Sequence, residues 1–171
     1  YLIISFPGQI HGDLSDLNVL VEERHSSVQL ESNNQSITSQ KDKPDFVISG
    51  IIDFADASFS YFIFDIAIAI AFMMTSSKLV DAMDVSGHTL AGYLSEFHMN
   101  STERNALHLL ICSRISQTLA IGWYTYVKDP SNDYPLVTAA NGWPLLHSIW
   151  KKPRDEIEKE WDFIIKSYEE H

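Results

Sequence analysis

The chain has 171 residues and carries 12 Lys and Arg against 23 Asp and Glu, a formal net charge of −11. With 45% hydrophobic, 12% aromatic and 20% charged residues it holds enough apolar material for one packed domain, which excludes global disorder, a collagen-like repeat and a coiled-coil rod. The acidic balance excludes broad contact with a phosphate backbone, so no nucleic-acid partner is expected.

The opening, Tyr1 to Pro7, has no initiating Met, no basic head and no cleavage pattern, so it is expected to begin in mid-protein and not to be a targeting peptide. His11-Gly12-Asp13 and a short polar loop lead into Asn18 to Val21, whose aliphatic residues predict a short strand. Glu22 to Asp45 turns to Ser, Asn, Gln, Lys and Glu, and is expected to be a flexible insertion. Phe46 to Asp53 resumes a β pattern, and the two strands are expected to pair as a long-looped hairpin that brings Asn18 near Asp53. Phe62 to Thr75, apolar nearly all round, predicts a buried central helix.

Ser86 to His98 is a weaker amphipathic helix with Ser86 as a possible cap. Asn100-Ser101-Thr102-Glu103 signals the start of a long helix to about Lys128, where Trp123, Tyr124 and Tyr126 are expected to pack as core. Leu136 to Trp150 predicts a helix bent or restarted at Gly142 and Pro144, and a last helix opens at Pro153 and runs to about Tyr168, its many acids forming a solvated face. The apolar run from Tyr61 to Met74 is interrupted by Asp65 and is shorter than the roughly 18 to 20 uncharged residues of a membrane span, so no membrane partner is expected. The single cysteine, Cys112, cannot form an internal disulfide; it is expected to be a small buried hydrophobe in a reducing, cytoplasmic setting.

The informative feature is His11-Gly12-Asp13 with Asn18, followed by Ile51-Ile52-Asp53-Phe54. A Gly-Asp pair alone is ordinary turn chemistry. The combination is more specific: a carboxylate on a tight loop can accept a hydroxyl proton, while an amide oxygen and a second carboxylate on a neighbouring strand can hold Mg²⁺. These are the parts of a phosphoryl-transfer site.

On these motifs the chain resembles the aminoglycoside phosphotransferase and choline kinase type of small-molecule kinase, whose catalytic loop has the form H-G-D-x-x-x-x-N and whose metal-binding strand ends in I-D-F or I-D-W. Asp65-Ile66-Ala67 looks like the D-L-A that opens that family's next helix. Within the family, the phrases His11 to Leu20, Ser49 to Asp56, Leu90-Ala91-Gly92-Tyr93 and Cys112-Ser113-Arg114 look most like the branch that phosphorylates the side-chain hydroxyl of 5-hydroxy-L-lysine, with GTP favoured over ATP.

The resemblance implies an α+β fold: a protein-kinase-like C-terminal lobe, mainly α-helical, with a small β-hairpin carrying the metal-binding residues. It implies Asp13 as catalytic base, Asn18 and Asp53 as ligands of Mg²⁺ and the nucleotide phosphates, His11 as a brace of the loop, and Asp65 bonded to it from behind. Asp56 is inferred as a contact to the acceptor's ammonium, because a pocket for a dibasic amino acid needs negative charge. The family's N-terminal nucleotide lobe, with its Gly-rich loop and Lys, has no counterpart in residues 1–171. The chain is therefore expected to be the C-terminal lobe, inactive alone and poorly soluble where the missing lobe would cover it. Two alternatives stand beside this: a kinase for another small hydroxylated amine, such as an aminoglycoside, choline or homoserine, and a catalytically silent interaction module.

Overall fold

The computed structural model describes residues 5–24, 45–136 and 139–169. They form a mostly helical α+β fold with two small antiparallel sheets. The helices are α1 (Phe62–Ser76), α2 (Ala82–Glu96), α3 (Ser101–Lys128), α4 (Ala139–Lys151) and α5 (Arg154–Glu169). One sheet pairs β1 (Pro7–Ile10) with β4 (Ser58–Tyr61); the other pairs β2 (Val19–Arg24) with β3 (Asp45–Ile51).

Helix α1 lies at the centre, against α2, α3 and α4. Its Ile63, Ile66, Ala67, Ile70, Ala71 and Met74 are buried at helical spacing, as its nearly continuous apolar sequence requires. Leu107, Ile111, Ile115 and Leu119 of α3 recur every four residues and complete the core with Leu90, Ile149, Ile157 and Trp161. Each of the buried Ile, Leu and Met side chains contributes on the order of 1.5–3 kcal/mol by leaving water. Cys112 is buried among them, and burial pushes its thiol up to about 11.

Helix α3 begins where its capping signal predicts. The Asn100 side chain accepts the N–H groups of Thr102 and Glu103, and Glu103 accepts the Asn100 N–H in return. The free oxygen of that same Glu103 takes the Ser5 hydroxyl at 2.5 Å and the Phe6 N–H at 3.2 Å, which ties the start of the described chain to α3.

Several expectations are corrected. Helix α2 starts at Ala82, capped by Asp81, and Ser86 is a buried mid-helix residue that accepts the Trp161 indole N–H at 2.7 Å. A second sheet, β1 with β4, joins the expected hairpin, and strands β2 and β3 occupy the edges of the segment 22–45 read as an insertion. The rest of that expectation, residues 25–44, lies outside the described residues. Helix α4 runs through Gly142 and Pro144 without restarting. Trp123 and Tyr124 are exposed, not core, because α3 extends beyond Leu119, its last buried residue. The acids of α5 are not all solvated: Glu158 pairs with Arg104 at 2.6 Å and Glu160 with Lys152 at 2.5 Å. No described helix is long and apolar enough to cross a membrane.

Candidate active site

The loop that follows β1 is shaped by backbone hydrogen bonds to one carboxylate. Asp65, in the first turn of α1, accepts the His11 N–H at 3.0 Å on one oxygen and the Gly12 N–H at 2.9 Å on the other. The helix N-terminus favours negative charge there, so the carboxylate serves the loop and the helix together. Gly12 has φ +83°, and a methyl group on it would lie 2.5 Å from the Asp56 carbonyl oxygen. Only glycine meets both conditions without strain.

Asp65 binds backbone amides, and the His11 ring is held from another direction. Its Nδ1 accepts the Asp13 N–H at 3.3 Å and its Nε2 lies 3.0 Å from the Ile52 carbonyl oxygen. The tautomer with its proton on Nε2 satisfies both contacts. Phe54 packs against the same ring with centroids 4.8 Å apart. His11 thus bridges the loop to the segment after β3.

Asn18 ends a one-turn 3₁₀ segment, Asp16–Asn18, immediately before β2. It is buried, and its Nδ2 donates to the Asp13 carbonyl oxygen at 2.8 Å, which leaves its Oδ1 as the acceptor for another partner. Its own carbonyl accepts the Ile52 N–H at 3.0 Å, so the β2–β3 pairing continues to the residue before Asp53. The expected meeting of Asn18 with the Asp53 segment is observed. Asp53 is exposed and has φ +62°, a left-handed conformation that Asp tolerates better than most residues and that recurs at functional sites.

Among the described residues, no three His, Cys, Asp or Glu side chains gather into a metal cage. The Asn18 amide oxygen and the exposed Asp53 carboxylate offer oxygen donors only. Such donors suit Mg²⁺, which keeps waters and takes further ligands from phosphates, better than Zn²⁺, whose sites are built mostly from His nitrogen and Cys sulfur.

Asp13 borders both Asn18 and a cavity. Its backbone carbonyl meets Asn18, and its side chain lines a cavity of about 830 Å³ between the loop, the end of α1 and the middle of α3. Asp16, Phe72, Lys78, Arg114 and Gln117 also line it, whereas Asn18, Asp53 and Asp56 do not. The volume suits a small molecule. Asp56 instead presents its backbone oxygen to Gly12 and is exposed.

Sequence reasoning missed Arg114, whose Nη2 donates to Asp13 Oδ1 at 2.7 Å across 101 positions of sequence. The available signal was the phrase Cys112-Ser113-Arg114, which marked the residue by resemblance without giving it a role.

No family model and no solved structure matches the chain. It is similar to curated proteins named hydroxylysine kinase: 38% identical over 160 residues to that of Mus musculus, 37% over 162 to that of Bos taurus and 36% over 156 to that of Danio rerio. The alignments cover 93%, 93% and 88% of this chain but only 39%, 39% and 38% of the relatives. The chain spans about two fifths of the length of the curated relatives it matches. The resemblance expected from the motifs is borne out.

Proposed function

We propose that this chain is the acceptor- and metal-binding lobe of a phosphotransferase that moves the γ-phosphate of GTP or ATP to the side-chain hydroxyl of 5-hydroxy-L-lysine. The observation that carries the reading is the hydrogen-bonded loop joining Asp13 to Asn18 and, through Asn18, to the Asp53 segment, with Asp13 facing a cavity of small-molecule size. Similarity to proteins named hydroxylysine kinase supports the choice of acceptor.

In this mechanism Asp13 accepts the acceptor hydroxyl's hydrogen bond, aims its oxygen at the γ-phosphorus and takes its proton as the new O–P bond forms. The bond from the γ-phosphorus to the bridging oxygen breaks in line, and the nucleoside diphosphate leaves. Asn18 Oδ1 and the Asp53 carboxylate would hold Mg²⁺, which when bound neutralises phosphate charge. His11 and Asp65 keep the loop in place. Asp16, beside Asp13 in the cavity, gives a dibasic acceptor negative charge from the cavity wall, so that contact with an ammonium does not depend on Asp56 alone.

The nucleotide itself would be held by a lobe lying in the part of the relatives that this chain does not span. Val21, Phe46, Ile48 and Phe54 are exposed on and beside the β2–β3 ribbon, an apolar surface suited to such a lobe. Without it the chain is expected to bind acceptor but not to transfer phosphate. A cytoplasmic location fits the single buried thiol.

The test is phosphoryl transfer by the chain joined to the N-terminal portion of its Mus musculus relative, with Mg²⁺, GTP and ATP. Acceptors are 5-hydroxy-L-lysine, choline, homoserine and an aminoglycoside. Transfer to 5-hydroxy-L-lysine that disappears in Asp13→Asn supports the reading. Asp13-dependent transfer to a different acceptor keeps the mechanism and replaces the substrate, and no transfer to any of them rejects both.

A further inference from the structure

We propose that Arg114 is a positioning residue for Asp13: it holds one carboxylate oxygen so that the other is presented to the acceptor hydroxyl. This rests on the reading of Asp13 as the base. The Asp13 peptide is already fixed on both sides, its N–H by His11 Nδ1 and its carbonyl by Asn18 Nδ2. What the loop leaves free is the side-chain torsion, and the 2.7 Å bond from Arg114 Nη2 to Oδ1 restrains that torsion.

The guanidinium is itself restrained from two elements. It lies over the Phe72 ring of α1, 5.1 Å from the centroid, and its Nη1 donates to Gln117 one turn along α3 at 3.3 Å. Its Nε is buried without a hydrogen-bond partner among the described residues. The group is therefore oriented by the Asp13 contact and the aromatic ring, and not by full satisfaction of its own donors. A planar, stacked guanidinium is suited to this because it delivers a fixed donor from a rigid platform.

The experiment uses the chain joined to the relative's N-terminal portion, in which Arg114→Met and Arg114→Lys are compared with the parent and with Asp13→Asn. Loosening the base should lower kcat about a hundredfold in Arg114→Met while the acceptor KM stays within about twofold. Arg114→Lys, which keeps a charged donor, should regain about tenfold of the loss. In the Asp13→Asn background Arg114→Met should lower the residual rate no further, because the residue acts through Asp13.

Unchanged kcat in Arg114→Met overturns the proposal. So does a raised KM with unchanged kcat that is absent for 1,5-diaminopentan-2-ol, the acceptor without its carboxylate, since Arg114 would then bind the acceptor carboxylate. Loss of cooperative unfolding in both Arg114 variants would make the residue structural and overturn it as well. Asp13-dependent transfer that ignores Arg114 rejects this inference alone, whereas absence of Asp13-dependent transfer in the parent rejects the phosphotransferase reading and this inference with it.

Discussion

The helical core and the loop cluster around Asp13 are built on opposite principles. In the core, Ile66, Ile70, Leu107, Ile111 and Trp161 are buried among apolar neighbours, and shape and area do the work. In the loop, Asp65, His11 and Asn18 make one or two directed bonds each to a backbone that remains partly open to water, and Arg114 adds one to the Asp13 carboxylate, all at 2.7–3.3 Å. The core gains its energy from many weak contacts that tolerate relaxation. The loop gains little net energy from its bonds, about 1 kcal/mol each, but it fixes direction. Stability and chemistry should therefore respond to different residues.

The largest effect that would sharpen this contrast is in the loop. Asp13→Asn keeps the side chain's size and should lower kcat by about a thousandfold while leaving unfolding and Mg-nucleotide affinity nearly unchanged. Equal loss of nucleotide affinity in Asp13→Asn and Asp53→Asn, measured by titration calorimetry, would break the division between base and metal ligand. The counterpart in the core is Leu107→Ala. It should cost about 2–5 kcal/mol in denaturant unfolding and leave kcat per folded molecule intact; a matching fall in kcat would show that the two regions are not separable.

Gly12→Ala probes the boundary between the regions. The left-handed φ and the 2.5 Å approach to Asp56 predict strain of about 1–3 kcal/mol, expressed as lost activity more than as lost stability, because the loop moves before the helices do. A crystal structure of the variant with an unmoved loop would contradict this. The smallest effect is a pH dependence seated in the core. Burial pushes the Cys112 thiol up to about 11 in the folded chain, from an ordinary value of 9.0 that the unfolded chain regains. Between those values the unfolded state gives up a proton that the folded state keeps, so stability falls as pH rises through the window. Cys112→Ala should lack that decline in unfolding measured from pH 8 to pH 11.

How much of this was legible follows the range of the interactions. Helix α3 could be bounded to the residue because both its cap, Asn100 with Glu103, and its stop, Asp129-Pro130, are local. The β2–β3 pairing could be read across its long connection because both strands carry their own aliphatic pattern. Strands β1 and β4 could not: Pro7-Gly8-Gln9-Ile10 opens on two strand-poor residues, and Ser58-Phe59-Ser60-Tyr61 is only four residues long and runs straight into the apolar helix, so each is defined by meeting the other. Helix α2 was entered too late because Ser86 resembled a cap, while Asp81 carried the cap that the structure uses. In the candidate site, Asp13, Asn18 and Asp53 were proposed from motif, and the loop that links Asp13 to Asn18 and the Asp53 segment is observed. Arg114 reaches Asp13 from another element entirely, and no local pattern encodes that contact.

The bond between Asp65 and the loop has a consequence for what the sequence can tolerate. Two amides rest on one short side chain whose own backbone is embedded in α1. The carboxylate therefore works as a spacer as well as an anchor: its single methylene sets the distance between the central helix and the loop that carries Asp13. A glutamate would preserve charge and hydrogen-bonding capacity, yet its extra carbon would push the loop outward by roughly a bond length, on the scale at which catalytic alignment is lost. Length, at this position, is as much a part of the site's specification as charge.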